Sequence, residues 1–577
     1  MRQPWPDGPD PRGEQMSKQY RGLGFWRGRA LAVLLGLATA MAGAQQPAGT
    51  APKPAGSAPP PTTSASPGQS SAQVPADSKV GGTPQAETHI TPEQAKELFG
   101  LVDELIKFSS QETGLAVKSD VKRKIIDRPS VESYLRTKFD EDEGAKRLQR
   151  GEIVLEKFGL LDRDFALKPF LLALLKEQIE AYYDSKTKTV YMLDWIGVDE
   201  QKPVLAHELT HALQDQRTDL EKWSDQTPDD VSTNARDDTD HLAKDEMDTA
   251  RDAVVEGQAT AVMMDYILKP MGKSLVKDPE ILDVVKDQMS GSENSPVLAR
   301  APLLLSESLL FPYKEGLSFE QDVWMDKGQA AAFAGALDRP PSSSWEIMNP
   351  REYEARHLPA VPLMPDIHPL VDKLYKPYDI GQVGQLDLHI LAGIFGGESA
   401  ASDLTPAWDG GIYWAGQLLS AKTPAEQAST KSIALLYLSA WKNQESAQDF
   451  AALYAKQLAR KYSGVKPMDA AQVSVPAGVG PESEEQVFTT NEGPVVITTR
   501  GRLVFVAESF DLPLARQLTS LILDAQGTGD MKMAGAGRPA ALPAKPVGEP
   551  LTSAWVRYFA DCGVMKAAVN AAVQAGK

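Results

Sequence analysis

His207 and His211 stand four residues apart in the stretch Pro203 to Leu220, with Glu208 directly after the first: His207-Glu208-Leu209-Thr210-His211, an H-E-x-x-H pentapeptide. On a helix, positions four apart share one face, one turn above the other. Two imidazoles so arranged can grip one metal ion, and the intervening glutamate can reach water beside it. The local sequence predicts that helix. Val204, Leu205, Leu209, Ala212 and Leu213 recur at helical spacing, and Pro203 suits a first turn. The plainer alternative is a buried helix whose two histidines bond to neighbours.

A third ligand stands downstream. Ala250 to Tyr266 reads as a second helix, with Glu256 among Val254, Val255, Gly257 and Ala259. A carboxylate in such apolar surroundings needs a partner, because an unpaired buried charge is very costly. Two His and one Glu are a catalytic zinc set that leaves one position open for water. The residues therefore predict one zinc ion on His207, His211 and Glu256, with Glu208 as general base. Small Gly257 and Ala259 are expected to let the two metal-bearing helices approach closely. Asp215, four residues beyond His211, could accept a free ring N–H of a ligand histidine, as could Asp252 or Asp248.

HELTHALQDQ followed by VVEGQAT resembles the gluzincin clan of zinc metallopeptidases, the thermolysin-like group. More narrowly, the chain is similar to a prokaryotic family of exported gluzincin-like proteins. That likeness runs through EQIEAYYDSKTKTVYML (177–193), LLFPYKEGLSF (309–319), RPPSSSWEIMNPREY (339–353), and AWDGGIYWAGQ with WKNQESAQDFAALY between 407 and 454. The resemblance implies a mainly helical, zincin-like metallopeptidase domain with a small N-terminal sheet, acting on a peptide or protein substrate. It also implies that the hairpin Ile179–Asp184 and Thr189–Leu193 offers a sheet edge to an extended substrate, a mode that gives main-chain binding with little sequence selectivity. In related families a Pro-Pro-Ser/Thr element closes on Pro-x-x-Tyr near the cleft. Tyr353, then His357, are the corresponding candidates to donate a hydrogen bond to an oxyanion.

The rest of the chain sets the frame. Its 577 residues allow two or more domains, and a net charge of −18 makes nucleic acid an improbable partner. Cys562 is the only cysteine, so an intramolecular disulfide and a Cys-rich zinc site are both excluded. Arg21, Arg27 and Arg29 precede the apolar run Ala30–Ala42, and Ala42-Gly43-Ala44 fits a cleavage site. Residues 1–44 thus read as a signal peptide, with an uncleaved anchor as the alternative. No other stretch is apolar enough to span a membrane, and the expected location is periplasmic or extracellular. Residues 45–88 form a Pro/Ala/Ser-rich linker.

The expected fold is α+β, with the metallopeptidase domain at 89–380 and a smaller α+β module at 381–526. A flexible linker (527–550) and a terminal helix (551–577) complete the chain. A core helix from Pro302 is expected to end near Pro312, His241 to lie in a solvated polar loop, and His389 to be a satisfied core histidine. The rival to a peptidase is a non-catalytic envelope protein that keeps the metal helix as structure and binds partners through its C-terminal module.

Overall fold

Thr91 opens the described fold with reciprocal capping. Gln94 N–H donates to the Thr91 hydroxyl, and Thr91 N–H donates to the Gln94 side chain. With Pro92 at the first helical position, α1 (Pro92–Thr113) starts where these residues dictate. The computed structural model describes residues 89–133, 143–178, 181–224, 226, 234–290, 296–468, 483–526 and 572–573. The signal peptide, both linkers, Cys562 and all of the terminal helix except Ala572 and Val573 lie outside the described residues.

After α1 comes β1 (Lys122–Ile126). Two helices follow, α2 (Glu143–Phe158) and α3 (Leu167–Gln178). The expected hairpin is present as β2 (Ala181–Asp184) and β3 (Thr189–Leu193). The sheet order is β1-β3-β2, with β1 parallel and β2 antiparallel to β3, so β2 is an edge strand. Gln201 joins this sheet to the next helix: its amide bonds Leu193 N–H, Leu193 O and Ile196 O.

That next helix, α4 (Val198–Thr218), carries the pentapeptide. It starts five residues before Pro203, so Pro203 lies inside the helix and not at its first position. Almost every residue of α4 from Pro203 to Asp215 is buried, as expected of a helix packed on all sides. The segment after it is not a solvated excursion throughout. α5 (Ala235–Leu242) buries His241, whose Nε2 lies 3.5 Å from Asp245. α6 (Met247–Leu268) then returns alongside α4 with Glu256.

After α7 (Ile281–Met289), α8 (Leu303–Lys327) runs straight through Pro312, where the sequence predicted an end. A proline inside a helix removes one hydrogen bond. Here Leu309, Leu310, Phe311, Pro312, Tyr313 and Leu317 are all buried, and their packing outweighs that loss. α8 crosses α6 at Gly316 and Gly257. A Cβ on Gly257 would lie 2.2 Å from Gly316 O, and one on Gly316 would lie 2.2 Å from Ala253 O. Gly257 therefore serves the contact of α6 with α8, and not, as expected from sequence, the contact with the metal helix.

The C-terminal part is built on a seven-stranded antiparallel sheet: β4 (Tyr375–Gln382), β5 (Trp408–Leu418), β6 (Ile433–Trp441), β7 (Lys466–Pro467), β8 (Ser483–Thr490), β9 (Gly493–Arg500) and β10 (Leu503–Glu508). The order is β4-β5-β6-β10-β9-β8-β7. Side chains alternate between its faces. Ile433, Leu435, Tyr437 and Trp441 of β6 join α9 (Gln385–Leu404) and α10 (Gln444–Lys461). Ala434, Leu436 and Leu438 join α11 (Leu512–Ala525) on the other face. His389 on α9 is half-buried and bonded to the Thr405 hydroxyl. Ile153, Val154 and Phe158 of α2 belong to the α9–α10 side, and Lys157 is buried there, 2.9 Å from Glu492 and 2.7 Å from the Ser509 hydroxyl. The architecture is α+β, and Gln85–Lys577 forms one compact unit.

Candidate metal centre

α4 and α6 bring three side-chain donors to one point. His207 Nε2 and His211 Nε2 are 2.9 Å apart, and Glu256 Oε2 lies 3.1 Å from the first and 3.6 Å from the second. Around one ion with bonds of about 2.0–2.1 Å, tetrahedral ligand atoms sit about 3.3 Å from each other. The three separations straddle that value. The Glu208 carboxylate also has an oxygen within 4.8 Å of both imidazoles. Glu256 is the closer acid, and its oxygen contacts both rings, so it is the better ligand.

Glu208 is anchored differently. Its Oε2 accepts the Tyr183 N–H of edge strand β2 at 2.8 Å, while Oε1 is buried with no hydrogen-bond partner. An orphaned acceptor beside a ligand set is what a site prepared to hold an ion and a water leaves behind. Burial pushes the Glu208 carboxyl up to about 8. All four groups are enclosed: His207 and Glu208 are fully buried, Glu256 is 4% and His211 6% exposed.

Electrostatics divide the two imidazoles. Burial, with the His211 charge beside it, holds His207 down to about 4. Burial alone would lower His211 too, but Glu256 raises it to about 9. Burial alone would likewise raise Glu256; the His211 charge and the bonds from both rings bring it to about 2. Without metal the site is thus a His211–Glu256 ion pair, and stability follows pH accordingly. The Glu256 contribution is present above pH 4.5 and lost as pH falls through 2. The His211 contribution is whole below pH 6.5 and lost as pH rises through 9. The two are one interaction, seen from its two partners. In chelator-stripped protein, the stability difference between the parent and Glu256→Gln is expected to be largest from pH 4.5 to 6.5. Parallel melting curves across pH would remove the pair.

The remaining candidates fall elsewhere. Asp215 is not the acceptor for a ligand histidine: it takes the Tyr183 hydroxyl at 2.7 Å, Lys188 at 2.7 Å and Leu220 N–H. Asp248 accepts from Gln226 N–H. The acceptor for His211 Nδ1 is Gln214, at 2.9 Å, a residue the sequence did not single out. Tyr353 is buried under Arg339 and donates its hydroxyl to the Arg339 carbonyl at 2.8 Å, so that proton is already committed. His357 is exposed and pairs with Glu352 at 2.7 Å on the surface. Neither is thus held ready for an oxyanion. The aromatic ring that does meet the site is Tyr313 of α8, fully buried and stacked on His207 with centroids 6.4 Å apart. A helix end near Pro312, as the sequence predicts, would leave Tyr313 outside the helix that carries it here. Tyr313 shares an apolar cluster with Ala181 of β2, Val204 of α4 and Ala572.

No family model, no curated protein and no solved structure matches this chain.

Proposed function

We propose that this chain is an exported zinc-dependent peptidase of gluzincin type. His207, His211 and Glu256 hold the ion and Glu208 moves the proton. The observation that carries the reading is the meeting of three donor atoms within 3.6 Å, beside a glutamate oxygen with no partner. His and carboxylate donors in this number suit zinc, and three protein ligands leave a position for substrate. A zinc ion there supplies Lewis acidity, both to acidify water and to polarise a scissile carbonyl.

The protein's own groups do the rest. Tyr183 N–H holds Glu208 by Oε2, leaving Oε1 to accept a proton from the attacking water and return it to the departing amine. Tyr313 walls one side of His207 and helps keep bulk water out. The substrate is a peptide or protein. Among the described residues no helix is long and apolar enough to cross a membrane. Export rests on the basic and apolar pattern of residues 1–44.

One observation favours the second reading, a non-catalytic binding or scaffold protein: the ligand residues are at most 6% exposed. Metal removal separates the two. Purified protein is expected to carry one zinc per chain and to hydrolyse casein or a peptide library. A chelator should abolish hydrolysis, and added zinc should restore it. No hydrolysis under any condition supports the scaffold reading, with or without bound zinc; no zinc at all ends the peptidase reading.

A further inference from the structure

A second set of contacts joins α4 to α6, and it does not pass through Glu256. His211 Nδ1 is 2.9 Å from Gln214 Oε1. Gln214 Nε2 is 3.0 Å from Val255 O and 2.9 Å from Gln258 Oε1. Gln258 Nε2 is 3.0 Å from both Ala332 O and Phe333 O. Gln214 and Gln258 are fully buried. Ala332 and Phe333 lie in a π-helical turn, Ala331–Gly335, a geometry that recurs at functional sites.

The direction of every bond in this chain can be worked out from its far end. A backbone carbonyl only accepts, so Gln258 must turn its NH2 group to Ala332 and Phe333, and both amide hydrogens are used there. Its oxygen then faces Gln214 and can only accept. Gln214 must therefore present NH2 to Gln258 and to Val255 O, another carbonyl. That leaves the Gln214 oxygen facing His211, where it needs a donor. His211 must carry a proton on Nδ1. Once the imidazole is neutral, the lone pair stands on Nε2, on the side of His207 and Glu256. Amide orientation is usually a matter of assignment, but here three carbonyls that cannot be reversed decide it. His207 has no such support: its Nδ1 is buried without a partner.

We propose that Gln214 and Gln258 are positioning residues, a two-amide relay that fixes the His211 ring and tautomer for metal from the carbonyls of the π turn. The inference rests on the metal reading of His207, His211 and Glu256, not on peptide cleavage. It gives α6 two tasks within one turn: Glu256 supplies a ligand, and Gln258 supports the orientation of another helix's ligand. It also ties metal binding to the conformation of Ala331–Gly335. Glu320 of α8 is fully buried beside Gln258; burial pushes its carboxyl well above the usual range, against the opposing pull of the Gln258 amide.

The test uses the full chain with Gln214→Leu and, as a closer match in length, Gln214→Met. Neither residue touches the ion. Zinc affinity is measured by competition with a chromophoric chelator, and the His211 ring by histidine-selective 15N NMR in zinc-loaded protein. The expected result is a loss of about 10- to 100-fold in zinc affinity, the range for removing a ligand's supporting partner. The parent should show a slowly exchanging Nδ1–H on His211 that both variants lack. Folded variants that bind zinc as tightly as the parent overturn the relay. So does a parent whose His211 is metal-bound through Nδ1, and that measurement stands even where both variants fail to fold. A parent that binds zinc but cleaves nothing defeats the peptidase reading and leaves the relay intact.

Discussion

On the proposed reading, Glu208→Gln is expected to bind zinc as the parent does and to hydrolyse peptides on the order of 10²- to 10⁴-fold more slowly. The substitution changes one acceptor into a donor and little else. The remaining amide oxygen can still accept the Tyr183 N–H that now holds Oε2. The ligand atoms, on His207, His211 and Glu256, are untouched. What disappears is Oε1 as a proton acceptor. The variant should also melt no lower than the parent. A side chain of the same shape keeps the Tyr183 N–H bond and fills the same space. Zinc content, melting temperature and peptide turnover on one preparation check all three points. Turnover at the parent rate would mean that Glu208 is not the base.

The other large effect is expected where two helices cross, at a residue that is itself no ligand. In Gly316→Val the new side chain begins 2.2 Å from the Ala253 carbonyl oxygen, against backbone that cannot rotate away. α6 and α8 must part by an ångström or more, or the fold must fail. Overpacking of a rigid contact costs about 3 kcal/mol or more. Because Glu256 immediately precedes Gly257 at this crossing, any parting of the helices also moves the carboxylate relative to the two imidazoles. Melting temperature and zinc content should therefore fall together, and Gly257→Ala should do the same from the other helix. A Gly316→Val protein with parental stability and full zinc would show that the helices do not cross there.

What could be read from the sequence was what short-range periodicity encodes. α4 and α6 showed their apolar spacing, and β2 and β3 showed as a hairpin. His207, His211 and Glu256 could be read as a set because the spacing i, i+4 and one acid in an apolar helix are local signals. Long-range pairing left no such trace. Gln214 and Gln216 look alike in sequence, yet one bonds His211 and the other bonds Lys118 and Ser119 on the surface. Asp215 was favoured by its helical position, but Lys188 and the Tyr183 hydroxyl claim it from another element. Pro312 and His241 were misread for the same reason. A proline rule and a polar neighbourhood describe an isolated segment, whereas burial by other helices decided both. Tyr353 was chosen by a motif's position, which does not reveal that Arg339 holds its hydroxyl.

The bond from Tyr183 N–H to Glu208 has a consequence for how a chain could be received. An extended peptide laid along β2 would seek the very amide that the carboxylate now occupies. On the proposed reading that amide is already taken, so a docked chain can pair only with what remains of the short edge, and the acid keeps its anchor with Oε1 still free to take a proton.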